Sequence, residues 1–244
     1  MGFLFDLPQP ELTKKIRLIT LFSGVGSQEM AMRDIGADFE IHKVVEFDKY
    51  AIASYNAVHG TNFPTIDVCT VHGKDLEITD KDKYNYILFY SWPCTSLSVA
   101  GKMEGMKEDS GTASSLLWEV KRIFTELPDD QLPDILCWEN VPQCHSEQNL
   151  PELNKWIDYL KSRGYFTYYE DLNAKDFGIP QNRERCFGIS ILSKEFVEYE
   201  FPKKIPLQYV MKDFLEEKVA DKYYIRSEKA DKLIKELIED GKLD

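Results

Sequence analysis

The chain predicts an α/β fold built on a mostly parallel sheet, with an antiparallel hairpin at one edge. Three observations carry this. Short β-branched apolar runs alternate with helix-length segments along the first 163 residues. The first run stops at a tight turn, Gly24-Val25-Gly26. Two further strand-like runs, 165–171 and 185–192, then follow one another with no helix between them. Alternating strands and helices demand parallel pairing through right-handed crossovers, whereas adjacent strands without a helix pair antiparallel.

Residues 16–22 form the first strand and 28–35 the helix after the glycine turn. The unit repeats as strand 41–46 with helix 48–58, strand 86–90 with helix 115–127, and strand 135–139 with helix 150–163. The pair 165–171 and 185–192 is joined by a loop holding Gly178-Ile179-Pro180. Beyond Phe201-Pro202 the composition turns to charged segments, and helices are expected over 208–219 and 227–240. The expected division is an α/β domain over 1–200 and a helical extension over 201–244.

With 244 residues and 43% hydrophobic content, the chain can bury one sizeable core. It shows no leader-peptide pattern and no apolar run long enough to span a bilayer, so a cytoplasmic protein is expected, with no membrane partner. Five cysteines, an odd number with no Cys-x-x-Cys pair, predict reduced thiols. Cys137 and Cys144, with His145 beside the second, fit no common zinc spacing, and no structural metal is expected. A net charge of −12 argues against broad affinity for nucleic acid, because phosphate neutralisation by Lys and Arg supplies most of that binding. A local basic patch, or a partner chain carrying the contacts, would reconcile the charge with a nucleic-acid substrate.

The chemistry-bearing residues collect at predicted strand ends. Gly24 and Gly26 let the backbone approach a ligand, but Glu29 stands where a dinucleotide fingerprint wants a third glycine. Glu46, at the end of the second strand, can accept both hydroxyls of a ribose, or be a solvated strand end. Asp67, after a third short apolar segment, can accept from an amino group, or simply form a turn.

Cys94 follows the apolar run Ile87-Leu88-Phe89-Tyr90 and then Ser91-Trp92-Pro93, which puts a thiol on a loop at a strand's carboxyl end. Thiols are weakly ionised at neutral pH, so positive charge or a general acid acting on the target must assist. The other four cysteines read as small apolar residues. Residues 95–112, with Gly101, Gly105 and Gly111, read as a mobile loop able to close over the thiol. Glu139 ends the fourth strand among apolar neighbours that raise its proton affinity. Arg183 and Arg185 alternate at strand spacing and so face one side, where guanidinium groups suit a phosphate or a base carbonyl, or pair with carboxylates.

In this order, Phe22-x-Gly24-x-Gly26, Pro93-Cys94, Glu139-Asn140-Val141 and Gln181-x-Arg183-x-Arg185 resemble the marks of the cytosine-C5 DNA methyltransferase family. The resemblance covers about residues 16–192, with further matches at Leu116-Leu117-Trp118-Glu119, Arg122 and Gly178-Ile179-Pro180. It implies a Rossmann-like S-adenosylmethionine-dependent methyltransferase fold, with the cofactor held by Phe22, Ser23, Gly24, Gly26, Glu46, Phe47, Asp67 and Pro93. It implies that Cys94 attacks C6 of a cytosine flipped out of double-stranded DNA, that Glu139 contacts N3 and the exocyclic amine, and that Arg185 holds O2 with Arg183 in support. Ser98, Lys102 and Gln181 would serve the substrate and the closing loop. The resemblance implies a bacterial or phage-encoded, intracellular protein of the restriction–modification kind.

The chain departs from the family pattern twice. Thr95 stands where Gln usually follows Pro-Cys, and no Gly-Asn dipeptide appears after residue 200, where the family continues into a target-recognition domain and a returning segment. The expectation is the catalytic part of a split enzyme, whose second subunit brings recognition, or of a longer chain. The alternatives are a catalytically incomplete homologue that binds cofactor or partner, and an RNA cytosine-C5 methyltransferase.

Overall fold

The computed structural model describes residues 12–97 and 105–241. Its centre is a six-stranded sheet in the order β2-β1-β3-β4-β6-β5. The strands are β1 (Lys15–Leu21), β2 (Phe39–Val45), β3 (Tyr84–Tyr90), β4 (Ile135–Asn140), β5 (Tyr165–Asn173) and β6 (Glu184–Leu192). Strands β1 to β4 run parallel, and β6 lies antiparallel to both β4 and β5. The helices are α1 (Ser27–Asp34), α2 (Lys49–His59), α3 (Leu117–Glu126), α4 (Leu150–Ser162) and α5 (Glu228–Glu239).

Alternation along the strands sorts the apolar side chains onto two faces. Leu88, Tyr90, Leu136 and Trp138 point to the side covered by Val120, Ile123 and Phe124 of α3 and Leu153, Trp156 and Leu160 of α4, which together make the main core. Leu18, Ile87, Phe89 and Cys137 point to the other side, where Met32 of α1 covers part of the sheet. On that same side Ile52 and Tyr55 of α2 close over Val44. Aromatic rings run beneath the carboxyl edge: Trp92 lies 5.6 Å from Trp138, which lies 6.1 Å from Tyr169. Such contacts add specific geometry to the large apolar area each ring buries.

The expected strands and helices agree with the structure except over 208–219, and the structure adds three points. First, β6 rather than β5 pairs with β4, so the later strand fills an inner slot and the earlier one forms the edge. Pairing order is set by where the crossover through α4 lands, which local patterning does not encode. Second, 208–219 is not a helix; it contains only a single 3₁₀ turn, Met211–Phe214. Tyr209, Val210, Met211, Phe214 and Leu215 are all exposed there, so no buried face supplies the packing that a short helix needs. Third, the segment before Asp67 is not a strand, although Ile66 donates its amide to the Glu46 carbonyl at 2.8 Å and so stays beside the sheet edge.

Gly188 on β6 is required by close approach. A Cβ there would lie 1.8 Å from Cε2 of Trp138, a side chain fixed in the core. Gly188→Ala is therefore expected to lower stability by about 1–3 kcal/mol, the usual cost of overpacking, read as a lower urea midpoint at unchanged slope. An unchanged midpoint would contradict this packing.

Candidate active site

The hydrogen-bond register of the parallel strands brings the candidate residues level. Leu21 of β1 pairs with Tyr90 of β3, and Tyr90 pairs with Trp138 of β4. Phe22, Ser91 and Glu139 each come one residue later and therefore stand along one sheet edge. Two clefts open there. One, of roughly 500 Å³, is lined by Phe22, Glu46, Phe47, Asp67, Ser91 and Pro93, among others. The second, of roughly 720 Å³, is lined by Phe22, Ser23, Gly24, Glu139, Arg183 and Arg185, among others. Phe22 and Ser91 belong to both walls, so the clefts adjoin.

The turn after β1 is built by backbone conformation. Phe22, Gly24 and Gly26 all have positive φ, at 58°, 56° and 81°. Such angles are costly for residues bearing a Cβ, and Phe22 adopts one at the site itself. The two glycines differ in purpose. A Cβ on Gly24 would meet nothing within 4 Å, so its backbone faces open space, whereas one on Gly26 would lie 2.2 Å from His59 Nε2. Gly24 thus permits close approach of a ligand, and Gly26 permits close packing of α1 against α2. Glu29 is buried in the first turn of α1, where it accepts from Tyr55 Oη at 2.8 Å and Thr20 Oγ1 at 3.1 Å.

Glu46 is held more firmly than a solvated strand end. Its carboxylate accepts from the Gly24 amide at 2.8 Å and from the Asp48 amide at 2.7 Å, tying the glycine turn to β2. Asp48, which the sequence reading did not single out, caps α2 by accepting from the Tyr50 and Ala51 amides at 2.7 and 2.9 Å. The Phe47 ring is 74% exposed at the rim of the smaller cleft and leaves an apolar face open there. Asp67 accepts from the Cys69 amide at 2.9 Å, so it forms a turn and also lines the cleft. Cys69 is exposed in that cleft rather than packed in an apolar run as expected. Burial and the Asp67 carboxylate both push the Cys69 thiol toward its protonated form.

Cys94 is half-buried on the loop after β3 and packs against the main core. The loop is pinned from two sides. Ser114 Oγ donates to the Pro93 carbonyl at 2.6 Å, and Asn140 Nδ2 donates to the Trp92 carbonyl at 2.9 Å. Asn140 is buried at the end of β4, and its Oδ1 accepts from the Val141 amide at 2.8 Å. Glu139 and Asn140 thus divide the work: one side chain enters the cleft, and the next anchors the thiol-bearing loop. Ser98 and Lys102 lie outside the described residues. The flanks of that segment meet through the Gly105 amide, which donates to the Ser96 carbonyl at 3.0 Å.

Glu139 Oε1 sits 2.8 Å from Arg185 Nε, and the Ser91 side chain also hydrogen-bonds the carboxyl. Burial raises the proton affinity of Glu139 above its ordinary value, and the charges of Arg185 and Arg183 pull it partly back. Both arginines line the larger cleft and act on the same carboxyl, in keeping with the shared face expected from their spacing. Gln181 is exposed in the turn before β6, where its carbonyl accepts from the Arg183 amide at 3.0 Å. Ser91, Asn140 and Ser114 were missed as functional residues; only their positions next to Pro-Cys, Glu139 and the helix start could have flagged them.

Two outcomes follow from this geometry. Asn140→Ala should leave the Trp92 carbonyl buried without its donor, lowering stability by about 1–3 kcal/mol and slowing any Cys94 chemistry more than it weakens ligand binding. The measurements are chemical denaturation and separate kcat and KM values. For Glu139, the folded state binds the carboxyl proton more tightly than the unfolded state. Relative to Glu139→Gln, the wild type should therefore lose stability as pH rises from the ordinary carboxyl value through the raised folded one. Denaturation at stepped pH reads this slope, and a wild type that gains stability relative to Glu139→Gln as pH rises would refute the assignment of burial as the dominant cause.

Among known proteins, the model of the C-5 cytosine-specific DNA methylase family matches residues 16–241. The chain is 33% identical over 260 residues to a type II methyltransferase of Lactococcus lactis subsp. cremoris, covering 87% of this chain and 71% of that one. It is 33% identical over 247 residues to an orphan methyltransferase of Spiroplasma monobiae, covering 80% and 64%. It is 32% identical over 256 residues to an orphan methyltransferase of Bacillus phage SPR, covering 91% and 55%. The fold is shared with the S. pombe Dnmt2 methyltransferase at a TM-score of 0.67 and 20% identity, covering 91% of this chain and 66% of that one. The chain thus spans between about half and seven-tenths of the length of these relatives. With its parallel sheet, glycine turn, Pro-Cys loop and Glu-Arg pair lying in one ordered match, the chain belongs to the C-5 cytosine-specific DNA methylases.

Proposed function

We propose that this chain transfers a methyl group from S-adenosylmethionine to C5 of a cytosine flipped out of double-stranded DNA, through a covalent bond to Cys94. The single observation that carries the reading is that the two clefts share Phe22 and Ser91 as walls beside the Pro93-Cys94 loop. A methyl donor in one cleft and a base in the other would meet there. The donor set fits the cofactor: Glu46 offers a carboxylate for ribose hydroxyls, Asp67 an acceptor for an amine, Phe47 and Ile66 apolar faces for the adenine, and Gly24 an open backbone. S-adenosylmethionine, when bound, supplies an electrophilic methyl group.

The chain's residues supply the rest. The Cys94 thiolate forms a bond to C6, and the C5–C6 π pair moves onto C5. Glu139, whose proton affinity is raised, donates a hydrogen bond or proton at N3 and accepts from the exocyclic amine, so the ring can carry the pair. Arg185, fixed by Glu139, faces O2, and Arg183 adds positive charge to the same wall. After C5 takes the methyl group, its proton leaves to a base, the C5–C6 double bond re-forms and the Cys94 sulfur departs. Extrusion of the base costs a few kcal/mol of stacking, repaid by contacts in the larger cleft.

In this reading residues 1–200 are the catalytic core and 201–244 a connector. The exposure of Leu207, Tyr209, Phe214, Tyr223 and Ile225 supports that division. Sequence-specific DNA reading would fall to protein outside the core, including a second subunit, in keeping with the net charge of −12.

Transfer of labelled methyl to unmethylated DNA tests the proposal. Cys94→Ser should reduce transfer at least ~10³-fold while leaving cofactor affinity within roughly twofold, as expected for loss of a nucleophile. Wild-type turnover in that variant would overturn the covalent mechanism. Glu46→Ala should weaken cofactor binding by about tenfold, the loss of charge-assisted hydrogen bonds, read by calorimetry.

A further inference from the structure

Outside the two clefts, the strand ladder assembles a second group of reactive side chains. Asp171 of β5 and Cys186 of β6 are direct cross-strand partners, and Cys186 is also the partner of Asn140 on β4. Side chains at directly opposed positions share a face of the sheet. On that face, the turn after β4, Pro142–His145, delivers His145, whose Nε2 lies 2.9 Å from both carboxylate oxygens of Asp171. The ligand atoms of His145, Asp171 and Cys186 all lie within 4.8 Å of one another. The Cys186 thiol hydrogen-bonds the neighbouring thiol of Cys144 and also Asp171. Both cysteines are fully buried, whereas His145 and Asp171 are about 30% exposed and open the group to solvent on one side.

We propose that His145, Asp171 and Cys186, with Cys144 as the fourth donor, bind a thiophilic divalent cation of the zinc type. The donors are the types that zinc prefers: two thiols, an imidazole and a carboxylate. In a tetrahedral zinc site neighbouring donor atoms stand about 3.3–3.8 Å apart, as follows from metal–ligand lengths of about 2.0–2.3 Å. The three mutually close donors need move only about 1 Å to reach that spacing. The competing His145–Asp171 pair is partly open to solvent, and pairs of that kind stabilise weakly. On binding, the cation would displace the thiol protons to solvent and supply the compensating charge.

The pattern is invisible to motif spacing. Cys144 and His145 are adjacent in sequence, but Asp171 and Cys186 come from two other strands, and Cys137, the alternative partner in the sequence, lies on the opposite face of the sheet. The site lies one residue from Arg185 on β6 and five residues from Glu139 along the chain. A bound cation would lock β4, β5 and β6 together behind that ion pair.

Cobalt(II) titration of chelator-treated full chain tests this, with metal analysis of the purified protein after dialysis against zinc. The expected result is one equivalent of metal, a thiolate-to-cobalt charge-transfer band, and loss of that band in Cys186→Ser. His145→Ala, with retention of the fold checked by circular dichroism, should weaken cobalt affinity at least tenfold, while Cys69→Ser should leave it unchanged. Less than a tenth of an equivalent bound, or a band that survives both Cys186→Ser and His145→Ala, would overturn the proposal. Neither readout depends on methyl transfer.

Discussion

The level alignment of β1, β3 and β4 is the constraint on which the site depends. Because Leu21, Tyr90 and Trp138 are paired across the sheet, the chain leaves it at Phe22, Ser91 and Glu139 side by side. A slip of one residue in β3 would turn Leu88 and Tyr90 out of the main core, where both are fully buried. Burial on that face therefore enforces the register. The positions of the glycine turn, the Pro-Cys loop and the Glu-Arg wall follow from it.

Around that edge, backbone hydrogen bonds made by side chains convert a sheet end into a rigid site. Glu46 ties the glycine turn to β2, and Asn140 and Ser114 tie the loop before Cys94 to β4 and to the start of the α3 region. These are mostly buried or half-buried bonds, for which losing one partner costs more than making the bond gains. The strain at Phe22 is held by this frame: its neighbour Ser23 donates its amide to the Val45 carbonyl at 3.2 Å. Rigidity of this kind is what a reaction between two separately bound molecules requires.

Electrostatics at the larger cleft are a compromise between burial and pairing. Glu139 is close enough to Arg185 for an ion pair, yet buried enough that its proton affinity rises. A carboxyl poised between those influences can serve as a donor in one step and an acceptor in another. The cross-strand group at Asp171 and Cys186 lies on the next rung of β6, so the strand that positions Arg185 also carries a second set of ligands.

The order of elements and the identity of the residues that end them are legible in the amino-acid sequence. Apolar alternation marks each sheet strand, Gly24 and Gly26 mark the turn, and Cys94 and Glu139 are legible because each follows an uninterrupted apolar run. Those signals are local, arising from backbone sterics and the period of burial within a few residues. Three-dimensional packing was needed to place β6 inside β5, to show that 208–219 lacks a surface to fold against, and to show that Glu46 grips the glycine turn. The folded chain alone shows Asn140 as the anchor of the Cys94 loop and brings His145, Asp171 and Cys186 together. Each of these depends on which distant segments the chain brings into contact, and strand pairing and crossover geometry fix those contacts without leaving a periodic trace in the sequence.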